Sequence, residues 1–181
     1  GQVLNNGGIP TTSLLLNFFF PHLLWFRLYL SMLAAVTADT WGTEIGTLFH
    51  HSPRQIPTFK KVTPGTSGGM TLPGTIGALV GALVIATSGL PFLKSNGSLM
   101  QEILLIAAVG FLGSGIDSLL GATVQGQYRC PKCLTVTEKR SHCAGMESHL
   151  TKGLKWIDND VVNLLCSLSG GVLFYLASKW W

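Results

Sequence analysis

Four stretches of this chain, residues 24 to 49, 72 to 92, 99 to 124 and 159 to 181, are apolar over about the length a helix needs to cross a bilayer. Hydrocarbon offers no partner for a backbone N–H or C=O, so spans of this kind are helical. A fifth stretch, 11 to 23 (TTSLLLNFFFPHL), is shorter, and Pro21 and His22 mark a bend into the next helix, so residues 1 to 23 read as a short or partial first helix. The expected fold is an all-α polytopic membrane bundle of four to five transmembrane helices in one domain, 1 to 181. Composition agrees: 11% of residues are charged and mean hydropathy is +0.42, against about 25% charged in a soluble domain. The chain opens with Gly1, and GQVLNNGGIP lacks the basic start of a signal peptide, so a cut or processed start is expected.

Two loops hold most of the positive charge. One, His50 to Thr71, contains Arg54, Lys60 and Lys61; the other, Gly126 to Asp158, contains six Lys or Arg, and a short link near Lys94 joins the third and fourth helices. The positive-inside rule places both loops in the cytoplasm, with Trp180 and Trp181 at the outer interface. The net charge of +4 forms no continuous basic face, so nucleic acid is not an expected partner. Membrane lipids are, and a homo-oligomer is left open.

With that orientation Asp39 and Glu44 fall near the inner end of the second helix, Asp117 near the inner end of the fourth, and Asp160 at the inner start of the fifth. Carboxylates inside spans are costly and call for a reason. Ser31, Ala35, Asp39, Gly42 and Gly46 share one helical face, as do Gly110, Ser114, Asp117, Gly121 and Gln125. Small-residue stripes pack closely in lipid, so Asp39 and Asp117 should face the bundle interior. Glu44 lies about 140° around its helix from Asp39, on a second polar face with Thr37, Thr40 and Thr47, which predicts a second helix surrounded by protein. Such carboxylates can hold Mg²⁺, relay protons or pair with a buried Lys or Arg, the last weakened because helices two to five supply no buried basic partner below Arg27; a structural hydrogen-bonding role is the plain alternative.

Three further segments carry chemistry. In KKVTPGTSGGMTLPGT, Gly65, Thr66, Ser67, Gly68 and Gly69 follow Lys60 and Lys61 and precede a helix start near Thr71. Glycine N–H groups, hydroxyls and a helix N-terminus together suit an anion, although GxxxxGK[ST] is absent and a flexible loop is the plain alternative. Asn159, Asp160 and Asn163 open the fifth helix; Asp158 or Asn159 can be a cap, but Asn163 is a turn too deep for that role. In RCPKCLTVTEKRSHCAG, Cys130, Cys133, His142 and Cys143 supply four ligands suited to a closed structural Zn²⁺ site, with reduced free thiols or a disulfide as alternatives. Cys166 reads as packing, and His22, His50, His51 and His149 show no partner pattern.

Ala38-Asp39-Thr40-Trp41 with Glu44-Ile45-Gly46, then Gly65 to Gly69, then Ile116 to Gln125 (IDSLLGATVQ), then Asn159 to Asn163 (NDVVN), resemble in order and spacing one family of integral membrane proteins. It includes the transmembrane-protein-nineteen group and the plant phytyl-phosphate kinase. The resemblance runs from about residue 30 to the end, and the upstream hydrophobic segments expected of full-length relatives are not in the sequence.

The resemblance implies transfer of a phosphoryl group from a nucleoside triphosphate, CTP or another, to a prenyl monophosphate of phytyl or geranylgeranyl type at the cytoplasmic membrane face. On that reading Asp39, Glu44, Asp117 and Asp160 surround Mg²⁺, and Lys60, Lys61 and Gly65 to Gly69 hold phosphates. Thr40, Ser118 and Gln125 are auxiliary binding groups, and Asn159 and Asn163 meet nucleotide or phosphate. The rivals are a transporter or ion carrier, which would set its acids nearer the midplane, a lipid-phosphate nucleotidyltransferase, which would release pyrophosphate, and a purely structural membrane protein, which would leave NDVVN and GTSGG without purpose.

Overall fold

The computed structural model describes residues 2–49, 51–93 and 98–180, so His50, Lys94 and Trp181 lie outside the described residues. Five helices make the bundle among those residues: α1 (Gln2–Phe19), α2 (Leu23–Leu48), α3 (Leu72–Ser88), α4 (Leu99–Thr123) and α5 (Asn159–Ser178). The bend at Pro21 falls between α1 and α2. His22 caps α2, its Nδ1 accepting from the Leu24 N–H at 3.2 Å. Thr71 caps α3 through the Gly74 N–H, and Asp158 caps α5 through the Val161 N–H. These caps satisfy N–H groups that the first helical turn leaves open.

Helix α2 is central and packs on the other four. Its small residues set the distance to its neighbours. Ala34, Ala38, Ala78, Ala82, Ala86 and Ala107 form the core with Leu30, Ile103, Ile106 and Phe174. A Cβ on Gly74 would sit 2.5 Å from the Gly42 carbonyl oxygen, so α2 and α3 touch backbone to backbone there. Close approach through small residues is how helices associate where lipid removes the hydrophobic drive. Outward, α3 presents Ile76, Leu79, Val80 and Val84, α4 Leu104, Leu112 and Leu119, and α5 Leu168, Val172 and Leu176. An apolar exterior over an Ala and Gly core suits lipid. By length and apolar composition α4 and α5 can each cross a membrane, α3 is a shorter apolar helix, and α2 has the length but carries Arg27, Asp39 and Glu44.

The expectation of an all-α chain needs correction. Strands β1 (Arg54–Gln55), β2 (Lys60–Lys61) and β3 (Gly69–Met70) form one antiparallel sheet in order β2-β1-β3. In the longer loop β4 (Gln127–Arg129), β5 (Val136–Thr137) and β8 (His149–Lys152) pair in order β5-β4-β8, and β6 (Ser141–His142) pairs with β7 (Met146–Glu147). Most of these strands are two residues long, too short to show alternation in sequence, and turns on either side hold them. The chain is mostly helical with small sheets in both loops.

The face of α2 opposite Asp39 also differs from expectation. Thr40, Trp41 and Glu44 are exposed, so helix α2 is not surrounded by protein at this end. Its packed side is used up by α3, α4 and α5, and the five-residue step to Glu44 turns away from all three.

Candidate functional site at the loop end of the bundle

Helices α2 and α4 end, and α3 and α5 begin, at the same end of the bundle, and both sheet-bearing loops lie there. They enclose a cavity of about 430 Å³, within the range of small-molecule sites. Asp39, from α2, and Asp117, from α4, line it with their carboxyls in hydrogen-bonding reach of each other. Asp117 Oδ2 is buried, and among the described residues no N–H or O–H donor outside the carboxyl pair reaches it. Among the described residues no Lys or Arg lines the cavity.

Gly65 to Gly69 cross the opposite wall. Thr66 N–H donates to Thr63 O and Gly69 N–H to Thr66 O, so the loop is two tight turns with those donors engaged internally. Gly68 has φ +70°, and a Cβ there would lie 2.3 Å from the Ser118 carbonyl oxygen. Only glycine allows both the left-handed backbone and the close approach to α4. The loop is therefore fastened to the helix turn that carries Asp117 and Ser118. The capped N-terminus of α3, with Thr71 and Thr75, completes this wall.

Of the groups singled out in the sequence, Asp39, Asp117, Ser118, Gln125, Asn159 and the whole Gly65–Gly69 run line the cavity. Asp158 takes the cap of α5, which leaves Asn159 for the cavity. Glu44 and Thr40 are exposed on the far face of α2, and the Thr40 hydroxyl donates to Val36 O. Lys60 and Lys61 are exposed on β2. Asp160 is half-buried in the first turn of α5 and Asn163 is buried one turn deeper, both outside the lining.

Sequence reasoning missed Glu138, His51 and Glu102. Glu138 lines the cavity from the cysteine loop, and its Oε1 accepts from the Ser67 hydroxyl at 2.6 Å. Its setting, TVTEKRS, has the look of a solvated turn, and no local signal marks it. Glu102, at the other end of α4, is buried and pairs with Arg27 of α2. An acid inside an apolar run was signal enough to find it.

Cys130, Cys133, His142 and Cys143 come together with their ligand atoms all within 4.8 Å of one another. His142 Nδ1 lies 3.4 Å from Cys133 Sγ and 3.2 Å from Cys143 Sγ. Hydrogen bonds from Thr135 pull the Cys133 thiol down to about 6, while its contact with Cys133 pushes Cys143 up to about 11. No cysteine forms a disulfide among the described residues, and Cys166 is buried between helices with Sγ 3.7 Å from Ala35 O.

These features define a helical membrane protein whose loops close a carboxylate-lined cavity at one end of the bundle. The chain belongs to the family described as integral membrane protein DUF92, which matches residues 1–171. It is 34% identical over 153 residues to Protein PGR of Arabidopsis thaliana, covering 80% of this chain and 52% of that protein. An uncharacterised membrane protein of Methanocaldococcus jannaschii is 30% identical over 173 residues, 95% of this chain and 59% of its own length. Chloroplastic protein VTE6 of Arabidopsis thaliana is 26% identical over 155 residues, 85% of this chain and 38% of its own. The chain thus spans about half the length of the first two relatives and less of the third. No solved structure matches it.

Proposed function

We propose that the chain carries the phosphoryl-transfer site of a Mg²⁺-dependent prenyl-phosphate kinase, active at the cytoplasmic face of the membrane. One observation supports it most: Asp39, Asp117 and Glu138 gather in one cavity whose described lining contains no Lys or Arg to balance them. Like charges so placed favour a divalent cation, and an all-oxygen donor set suits Mg²⁺. The buried Asp117 Oδ2, with no N–H or O–H donor outside the carboxyl pair among the described residues, fits the same ion. When bound, Mg²⁺ would supply neutralisation of phosphate charge.

The chain's own groups do the rest. Asp39 and Asp117 hold the metal-facing side, with Ser118 beside Asp117 and Gln125 and Asn159 as polar walls for nucleotide or phosphate. The Gly65–Gly69 turns and the α3 N-terminus form the anion-facing side, where partial positive charge favours phosphate. Lys60 and Lys61, exposed on β2, can draw an anionic substrate to the loop end from outside the cavity. A lipid phosphate oxygen attacks the γ-phosphorus of the nucleotide, the bond to the β–γ bridging oxygen breaks, and a nucleoside diphosphate leaves with that oxygen's electron pair. The lipid phosphate is already a nucleophile at neutral pH, so no residue need act as a strong base. The four-motif resemblance to the family that includes phytyl-phosphate kinase points the same way.

The test is to incubate detergent-purified protein with Mg²⁺, each labelled nucleoside triphosphate, and phytyl or geranylgeranyl phosphate. Lipid diphosphate with an equal amount of nucleoside diphosphate is expected. Pyrophosphate release would instead identify a nucleotidyltransferase, and absence of product together with ion flux in liposomes would identify a carrier.

A further inference from the structure

The phosphotransfer reading leaves the Cys130, Cys133, His142 and Cys143 cluster unused, and the loop that holds it is poor in core. From Pro131 through Trp156 no residue is buried. Leu134, Val136, Met146, Leu150, Leu154 and Trp156 all face outward. A segment with so little buried surface needs a staple other than packing.

The ligand geometry supplies one. Cys130 and Cys133 sit in a tight turn in which the Leu134 N–H donates to Cys130 O and the Cys130 N–H to Thr135 O. Across from it Cys143, Ala144 and Gly145 all have positive φ, at 45°, 66° and 86°. Two adjacent non-glycine residues in the left-handed region persist only where something holds them. Tetrahedral Zn²⁺, with Zn–S near 2.3 Å and Zn–N near 2.0 Å, separates a sulfur and a nitrogen ligand by about 3.5 Å. The observed separations of 3.4 and 3.2 Å are close to that.

We propose that these four side chains bind one Zn²⁺ as a closed structural site, and that the ion thereby fixes the turn that holds Glu138 over the cavity. Glu138 lies on the span between the two ligand pairs, after Cys133 and before His142. Clamping both ends of this span sets where Glu138 reaches, and it reaches the Ser67 hydroxyl on the glycine loop. The roots of the loop are tied to the end of α4 by the Leu154 N–H to Val124 O and the Gln127 side chain to Gly121 O. Zinc at the tip and these bonds at the root make the loop a rigid lid instead of a free connection. The inference goes beyond phosphoryl transfer and stands whatever reaction the cavity performs.

Two measurements test it without any activity assay. Metal analysis of protein purified from zinc-supplemented culture should give about one zinc per chain, falling roughly tenfold or more in Cys133→Ser and Cys143→Ser and not in Cys166→Ser. Wild-type protein with essentially no zinc would overturn the metal site. Hydrogen exchange on the wild-type protein, with zinc bound and after its removal by chelator, should then rise in both 136–142 and 64–70. A rise confined to 136–142 would overturn the lid.

Discussion

Both ends of this bundle draw carboxylates in among the helices, Glu102 buried and Asp39 and Asp117 half-buried, and they deal with them in different ways. Away from the loops, Glu102 of α4 meets Arg27 of α2, and the charge is balanced inside the protein. At the loop end Asp39 and Asp117 meet each other, with Glu138 near, and no Lys or Arg lines their cavity among the described residues. An acid with its own cation braces a fold. Acids without one leave room for a cation, and on the proposed function that difference separates a structural end of the molecule from a functional one.

The largest expected effect tests the functional end. Asp117→Asn removes a carboxylate oxygen set from the proposed metal site while keeping the shape of the side chain. Turnover should fall about a thousandfold, equal to about 4 kcal/mol of barrier. Thermal unfolding in detergent without Mg²⁺ should be unchanged or raised, since the Asn amide keeps the shape and can donate to Asp39. A variant that keeps turnover would remove Asp117 from the site.

Mg²⁺ itself should come next. At a hundredfold excess over its dissociation constant it should stabilise the wild-type protein by about 2.7 kcal/mol, and this gain should vanish in Asp39→Asn. Equal stabilisation of both proteins would mean that the ion binds elsewhere.

At the structural end Glu102→Ala should destabilise by about 2 kcal/mol, less than a fully buried pair because Arg27 remains partly solvated. Mg²⁺ stabilisation should persist in this variant. A Glu102→Ala protein that unfolds like wild type would show that the Arg27 pair is not a brace.

How far this contrast can be read from sequence depends on the range of each interaction. The helices follow from apolar length, and the meeting of Asp39 and Asp117 follows from small residues one turn away on each side of them, because helical period is local. The strands are too short to carry a period. The Ser67 to Glu138 bond joins residues from two different loops, and nothing near either announces the other. Glu44 shows the opposite limit: helical period sets its angle from Asp39, yet which faces of α2 are covered is decided by the packing of α3, α4 and α5.

Glu44→Gln therefore supplies the smallest expected effect and the sharpest check on where the site ends. Its carboxylate is exposed, on the face of α2 turned away from the cavity. Exposed substitutions away from special backbone or buried networks change stability by about 0.5 kcal/mol or less, and turnover should stay within about twofold. The same assay that registers Asp117→Asn checks it. A loss approaching that of Asp117→Asn would extend the metal site around to the exposed face of α2, and burial of a carboxylate would no longer distinguish the acids that work from those that merely face solvent.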